Sequence, residues 1–317
     1  MVFYLVRRVL QALIVIVIVS LVTFFLSRLL PGDPARAILG VKATHAQLEA
    51  FRAAQGYNDP TFVQYWNYIV RLLHGDLGFS YKQNQTVVAL VEQRLPPTVL
   101  LLSLSTAAAV VIAVPLGLLQ ATRRNQPIDY GLTGASFVFY SMPSFWLGVL
   151  LITIFAVHLG VFPSGAPQGS FFNVVMHPGG LVLPVATLAL VTLAEFSRYM
   201  RSSTLDNLGE GYVETARAKG ASEARILYRH IMRNALVPIV TLLGLRLPHI
   251  LDGALITEGV FNYPGIGRLF WKATQAQDYP VLLGVTLIVA VATVIGSLIA
   301  DLLYAVLDPR VRYVEPR

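Results

Sequence analysis

The chain has 317 residues, of which 55% are hydrophobic and 13% are charged, whereas charged residues make up about 25% of an ordinary soluble domain. With a mean hydropathy of +0.63, this composition indicates an integral membrane protein and leaves little chain for a soluble catalytic domain. The sequence contains no cysteine, which excludes disulfides, thiolate nucleophiles and cysteine-ligated metals. The formal net charge of +7 is compatible with nucleic-acid binding, but in membrane proteins basic residues ordinarily set the orientation.

Uncharged runs predict six membrane-spanning helices, because about 20 apolar residues are needed to cross a hydrocarbon core of roughly 30 Å. No Asp, Glu, Lys or Arg occurs between Tyr130 and Ala194. This run is too long for one helix and is interrupted by F-P-S-G-A-P and H-P-G-G, so we divide it into two spans. The predicted spans are residues 9–27, 95–122, 132–159, 181–196, 235–256 and 281–306.

The first span has an alternative interpretation as a cleavable signal peptide. Arg7 and Arg8 could form a basic n-region, and Ala35-Arg36-Ala37 resembles a cleavage site. The apolar stretch is about 19 residues long, however, whereas a signal h-region has 7–15. This length favours an uncleaved span.

Lys and Arg placement predicts the orientation of the chain. Fourteen of the 24 basic residues lie at the N-terminal end, after the second span, between the fourth and fifth spans, or in the tail. The positive-inside rule therefore places both termini and the loop between the fourth and fifth spans in the cytoplasm. The predicted division is an N-terminal span at 1–30, an extracytoplasmic helical segment at 31–94, a five-helix core at 95–306 and a tail at 307–317.

The extracytoplasmic segment contains a predicted helix with one apolar stripe. The stripe consists of Phe62, Val63, Trp66, Ile69, Val70 and Leu73. Its spacing is typical of an amphipathic helix, and we expect the stripe to pack on the outer ends of the spans. The alternative is that it forms a docking platform for an external protein.

The cytoplasmic insert at 198–234 is predicted to contain a bent helical pair. Gly220 suits a left-handed helix end, and Ser222 can cap a second helix in which Arg225, Arg229 and Arg233 recur at i, i+4 and i+8. The elbow of this pair, residues 214–221, is rich in small side chains that would let it enter a groove on a partner. Glu214, Arg217 and Lys219 are expected at the rim. Basic charge could instead mean a helix that follows phospholipid headgroups, but charge does not explain the small residues Ala216, Ala218, Gly220 and Ala221.

The elbow carries a family resemblance. Its sequence E-T-A-R-A-K-G, residues 214–220, resembles the E-A-A-x-x-x-G loop in membrane subunits of ATP-binding-cassette (ABC) importers, in the peptide and nickel permease branch. Matching motifs follow the same order along the chain: L-P-G-D-P at 30–34, G-D-L-G at 75–78, P-S-F-W-L at 143–147, E-G-V-F-N-Y-P-G-I-G-R-L at 258–269, D-Y-P at 278–280 and L-D-P-R at 307–310. Residues 230–233, His-Ile-Met-Arg, depart from the Ile-x-Leu-Pro of the wider superfamily.

The resemblance implies an all-α fold with six transmembrane helices, the type I ABC importer permease fold, in a bacterial or archaeal inner membrane. It also implies a second homologous permease, two ATP-binding subunits that hold ATP and Mg, and an extracytoplasmic substrate-binding protein. Within this chain it implies no cofactor and no nucleic-acid partner. The residues that would couple to the ATP-binding subunits are Glu214, Thr215, Ala216, Arg217, Ala218, Lys219, Gly220 and Ala221.

The chain is not expected to be an enzyme. A phosphate-binding P-loop requires Gly-Lys, and none of the four lysines follows a glycine. The sequence also lacks H-E-x-x-H, G-x-S-x-G and G-x-G-D, which argues against an intramembrane enzyme. A self-contained channel or secondary transporter is a further alternative, but such proteins normally carry internal repeats and have no need of a basic docking loop.

Polar residues in the fifth predicted span suggest part of the translocation pathway. Arg246 and Asp252 each cost roughly 2.5–3.5 kcal/mol near the middle of a span, so this span should lie inside the bundle. Arg246 and His249 share one helical face and could line the route of a carboxylate-bearing substrate. The alternative is a structural pairing of Arg246 with a carboxylate such as Asp252. Dipeptides or oligopeptides are the favoured substrates, nickel or another small polar solute is the alternative, and no metal site is predicted in the chain.

Overall fold

The structure is a computed structural model and describes residues 2–29, 33–40, 42–246 and 254–307. Helices make up most of these residues. In chain order they are α1 (Val2–Leu29), α2 (Pro34–Leu39), α3 (His45–Ala54), α4 (Thr61–Leu73), α5 (Val87–Thr122), α6 (Pro127–Ser141), α7 (Ser144–Leu151), α8 (Phe171–Met176), α9 (Gly179–Leu208), α10 (Gly211–Ala218), α11 (Glu223–Arg225), α12 (Met232–Ala235), α13 (Val237–Arg246), α14 (Ala254–Val260), α15 (Ile266–Ala276) and α16 (Tyr279–Leu307). Two wider π-helical segments, Ile152–His158 and Ile226–Ile231, continue α7 and α11.

A two-stranded antiparallel hairpin precedes α5. Its strands are β1 (Phe79–Ser80) and β2 (Gln85–Thr86), with Phe79 opposite Thr86. The Ser80 hydroxyl donates a hydrogen bond to the carboxylate of Asp278, just before α16. This bond ties the segment at 31–94, which is predicted to be extracytoplasmic, to the last long helix.

Four helices in the described ranges are long and apolar enough to cross a membrane: Arg7–Leu26, Val87–Thr122, Gly179–Leu208 and Tyr279–Ile299. They correspond to the first, second, fourth and sixth predicted spans. A fifth candidate is the pair formed by α6 and the Ser144–His158 segment, which is bent by 107°. The fifth predicted span, residues 235–256, includes α13 and the start of α14, and its residues 247–253 lie outside the described ranges.

The third predicted span, residues 132–159, consists of two helical segments with a break between them. Pro143 follows the last turn of α6 and has no backbone N–H to donate, while Met142 is extended, with φ −76° and ψ 131°. A proline disfavours helical geometry in the residue before it. The chain therefore breaks at this point, and α7 starts in a new direction.

Helices α5 and α9 form the central packed pair. A Cβ atom added at Gly117 of α5 would lie 2.8 Å from the backbone oxygen of Ser197 in α9, so only glycine allows this approach. Around it, buried residues of both helices form one apolar cluster that includes Leu118, Phe196 and Met200. Helix α9 continues to Leu208, so the first part of the predicted insert, residues 198–208, extends this helix.

Helix α4, in the segment predicted to be extracytoplasmic, packs through tyrosines and not through its apolar stripe. Tyr65 and Tyr68 lie against Phe24 of α1, with ring centroids 5.2 and 5.7 Å apart. The Tyr65 hydroxyl also lies 2.9 Å from Ser20 Oγ. Trp66, in contrast, is 59% exposed. The prediction that the stripe packs on the spans is wrong, because the tyrosine face offers both ring contacts and hydroxyl partners to α1.

Candidate functional site

The elbow at residues 214–221 is a helix ending followed by a new helix start. Gly220 has φ +78°, and its N–H donates to the carbonyl of Arg217 at 2.9 Å. The N–H of Ala221 donates to the carbonyl of Ala216 at 3.1 Å, which completes the Schellman pattern of a helix end. Ser222 Oγ accepts the N–H of Arg225 and caps α11. The predicted roles of Gly220 at the helix end and of Ser222 as a helix cap are confirmed.

The elbow rests on the central apolar cluster. Val213 and Ala216 of α10 are buried in the same cluster as Phe196 and Met200 of α9. Ala216 is therefore packed mainly against its own chain. The outward surface is formed by the exposed residues Glu214, Thr215, Arg217, Ala218, Lys219 and Gly220, with Ala221 half-buried beside them.

An ion pair bridges the two arms of the elbow. Arg217 donates from Nε to Glu223 Oε1 at 2.8 Å and from Nη2 to Oε2 at 3.2 Å. These hydrogen bonds lower the pKa of the Glu223 carboxyl, and the carboxylate raises the pKa of Arg217. Both side chains are largely exposed, so the pair is available to a docking partner.

A basic groove of about 400 Å³ lies between α10 and the following helical segment. Its lining residues are Tyr212, Thr215, Ala216, Lys219, Ala221, Arg225, Arg229 and His230. Arg225 and Arg229 line the groove, whereas Arg233 of α12 does not. The groove is suited to acidic side chains or other anions.

A buried ion pair above the elbow escaped the sequence reasoning. Asp129 in α6 accepts two hydrogen bonds from Arg201 in α9, and only 2% of its side chain is exposed. The sequence did contain an indication of this pair, because Asp129 directly precedes the long uncharged run. A carboxylate buried at such a place requires a partner. The pair fixes the inner part of α6 to the helix that leads into the elbow.

The 258–269 motif forms a polar cluster at the end of the core opposite the elbow. Glu258 is fully buried and accepts hydrogen bonds from the Thr98 hydroxyl at 2.6 Å and the N–H of Arg268 at 3.1 Å. Thr98 Oγ1 in turn accepts the N–H of Ile266 at 2.9 Å. The Tyr263 hydroxyl donates to the carbonyl of Pro97 at 2.7 Å. These bonds lock the chain between α14 and α15 onto α5.

The predicted pathway residues fall at the edge of the described chain. Arg246 is the last residue of α13, and only its backbone is described. His249 and Asp252 lie outside the described residues. Among the described ranges, no group of three or more His, Cys, Asp or Glu side chains could hold a metal ion.

Known proteins resemble the chain along almost its whole length. The N-terminal family description, "Binding-prot-dependent transport system membrane comp, N-term", matches residues 1–102. The oligopeptide transport system permease protein AppB of Bacillus subtilis (strain 168) is 40% identical over 313 residues, covering 98% of this chain and 99% of AppB. The glutathione transport system permease protein GsiC of Escherichia coli O6:H1 is 36% identical over 311 residues, covering 98% and 99%.

Solved structures share the fold. A chain of the inward-facing MetNI methionine ABC transporter superposes with a TM-score of 0.54 at 17% identity, covering 69% of this chain and 96% of that one. The description "Binding-protein-dependent transport system inner membrane component" matches residues 113–313, which include α9, the elbow and the 258–269 motif. The chain therefore belongs to this family and is a multi-pass inner-membrane permease of the ABC importers.

Proposed function

We propose that the chain forms half of the translocation pathway of an ATP-driven importer for dipeptides or oligopeptides, which an extracytoplasmic binding protein delivers. A second homologous permease supplies the other half, and two separate subunits bind and hydrolyse ATP with Mg. The names of AppB and GsiC, which refer to oligopeptide and glutathione transport, support a peptide substrate. Nickel or another small polar solute is the alternative.

The observation that carries the coupling proposal is the continuity of the elbow with the central cluster. Residues 214–221 present an exposed outer surface, while Val213 and Ala216 are buried with Phe196 and Met200. A displacement of the elbow by an ATP-binding subunit therefore acts on α9 and α5 through packed side chains, which resist deformation. In this mechanism the elbow contacts no substrate. It biases the bundle between inward-open and outward-open states.

This mechanism requires the elbow and both termini to face the cytoplasm. The distribution of basic residues supports that orientation. The division into an outer segment at 31–94 and a core at 95–306 follows from the same arrangement. On the pathway, we assign contact with the substrate to Arg246 and His249, with Asp252 on the same span.

Substitution of Gly220 tests the coupling role. A Cβ atom added at Gly220 meets no atom within 4 Å, so Gly220→Leu should insert and fold, at a cost of roughly 1 kcal/mol for the left-handed backbone. In reconstituted complexes we expect ATP hydrolysis without matching uptake, because the leucine enters the space of the partner. Measured uptake per ATP hydrolysed should fall at least about tenfold, the loss expected when a bulky side chain is forced into a packed contact.

Gly75 provides a matched control for this experiment. It has nearly the same backbone angle, φ +77°, and an added Cβ also meets no atom within 4 Å, but it lies in the extracytoplasmic segment. Gly75→Leu should retain coupled uptake. Full coupling in the Gly220→Leu complex would contradict the proposal, as would equal loss in both variants.

The substrate is tested separately, with the complete transporter in liposomes. Binding protein loaded with a dipeptide, an oligopeptide or nickel is added outside, and ATP turnover is measured inside. We expect peptide-loaded binding protein to stimulate turnover. Stimulation by the nickel-loaded form alone would reject the peptide assignment and leave the coupling role intact.

A further inference from the structure

Helix α4 of the extracytoplasmic segment has three distinct faces. One face, with Tyr65 and Tyr68, packs on Phe24 of α1. A second face, with Gln64, Asn67 and Arg71, lines an outer cavity of about 1150 Å³. The third face is the apolar stripe defined above, Phe62, Val63, Trp66, Ile69, Val70 and Leu73. At 3.6 residues per turn the centre of the stripe lies about 135° around the helix from the centre of the polar second face.

Most of the stripe is exposed within the described chain, although Ile69 is half-buried and Val70 also lines the outer cavity. Phe62 is 76% exposed, Trp66 is 59% exposed and Leu73 is 82% exposed. The stripe contains no charged residue, and its members follow one another along the full length of the helix. A continuous apolar surface of this kind marks a contact with lipid or with another molecule.

The packing of α4 on α1 fixes the depth of the stripe. Ser20 and Phe24, which contact Tyr65 and Tyr68, lie inside the candidate span Arg7–Leu26. Ser20 precedes the end of that span by about six residues, which correspond to roughly 9 Å of helix. Helix α4 therefore lies beside the last turns of the span and not above them.

The depth of α4 and the residue composition of its stripe together indicate which kind of molecule covers this surface. Amphipathic interfacial helices bury their apolar faces about 5–10 Å into the boundary between headgroups and acyl chains, and Trp is enriched at that level. Phe25 and Leu26 of α1, at the same level, are also exposed apolar residues. We propose that α4 is an interfacial helix whose stripe is immersed in the outer leaflet of the bilayer, while its polar face borders the aqueous outer cavity.

The absence of cysteine from the sequence allows a direct test by spin labelling. Trp66→Cys and Asn67→Cys carry a nitroxide on the stripe and on the polar face, about 100° apart around the helix, and Val17→Cys places one on an exposed position of α1. The complete transporter, with cysteine-free partner subunits, is reconstituted in liposomes. Collision rates are measured with oxygen, which concentrates in lipid, and with chromium oxalate, which stays in water.

At position 66 we expect the ratio of oxygen to chromium oxalate accessibility to exceed that at position 67 at least about threefold, and to fall below that at position 17, as a shallow lipid position requires. A label at 66 reached mainly by chromium oxalate would show an aqueous surface and overturn the proposal. A label reached by neither reagent would show a protein partner and also overturn it. If Trp66→Cys does not assemble, Leu73→Cys reports on the same stripe with the same expected result.

Discussion

Arg201 holds the carboxylate of Asp129 through two parallel hydrogen bonds, both 2.8 Å long, from Nε to Oδ1 and from Nη2 to Oδ2. The carboxylate also accepts the N–H of Asn125 at 3.1 Å. A bidentate pair of this kind constrains both distance and orientation. It joins the start of α6 to α9, shortly before α9 leads into the elbow, so α6 should follow α9 when the bundle changes state.

Breaking this pair should destabilise the permease. Asp129→Asn removes the charge that compensates Arg201, and loss of one partner from a buried pair costs roughly 3 kcal/mol. We expect a clearly lower melting temperature of the purified complex. Asp206→Asn makes the same change at an exposed position of α9 and should leave the melting temperature nearly unchanged. Equal melting of the Asp129→Asn variant and the native complex would contradict this role.

The Glu258 cluster predicts an order among substitutions. Glu258→Ala leaves the Thr98 hydroxyl and the Arg268 N–H without their buried acceptor, and each unsatisfied group costs about 1–3 kcal/mol. In Glu258→Gln the side-chain oxygen still accepts the Arg268 N–H, and the amide NH2 donates to Thr98 Oγ1. The Thr98 hydroxyl can then rotate to donate to the carbonyl of Arg94, 3.3 Å away. Melting temperatures should therefore fall much further for the alanine variant.

The control for this order is Thr98→Val, which removes the hydroxyl while keeping the side-chain volume. It should destabilise the complex, because Glu258 and the Ile266 N–H both lose a partner. If Glu258→Gln proved as damaging as Glu258→Ala, the negative charge itself would be required, and the hydrogen-bond explanation would be wrong.

The Arg217–Glu223 pair should affect coupling and not stability. Both side chains are largely exposed, and exposed pairs contribute little to folding. Arg217→Gln and Glu223→Gln should each reduce uptake per ATP hydrolysed, the double variant should be no worse than either, and melting temperatures should not change. Glu210→Gln, an exposed residue just before α10, is the control that should retain coupling.

The same pair gives a prediction for pH. Pairing with Arg217 lowers the pKa of Glu223, so its contribution is present above the ordinary Glu pKa and is lost only as the pH falls through the lowered value. The pair should therefore add no pH dependence to uptake per ATP between about pH 6 and pH 8. A loss of coupling in this range that disappears in Glu223→Gln would contradict the assignment.

Local chemistry made the elbow predictable from the sequence, whereas pairs of residues that are distant in the sequence were not predictable. A glycine before a Ser-initiated helix specifies the turn at Gly220 and Ser222, because both roles depend on neighbouring backbone groups. The partners Thr98 and Glu258 are 160 residues apart, and the local sequence around either residue does not identify the other as its partner. The same limit applies to Asp129, whose need for a partner could be read from the sequence but whose partner could not.

Apolar periodicity left two structural questions open. The stripe of α4 was visible in the sequence, but protein and lipid are both apolar, so its spacing did not say which one covers it. The break before α7 was hidden for a related reason. A proline is tolerated inside membrane helices, so Pro143 alone did not distinguish a continuous span from a bend of 107°.

The fifth predicted span provides the last prediction, which concerns Arg246. An arginine near mid-span costs roughly 2.5–3.5 kcal/mol, and such residues usually face a pathway or a partner. We expect Arg246→Gln to assemble normally and to lose most uptake of peptides with a free C-terminal carboxylate. Uptake of the same peptides with an amidated C-terminus should change much less, because they offer no carboxylate to Arg246. Arg36→Gln, an exposed arginine of α2, controls for the loss of one positive charge. Normal uptake in a fully assembled Arg246→Gln complex would exclude the pathway role, and failed assembly would favour structural pairing of this arginine with a carboxylate.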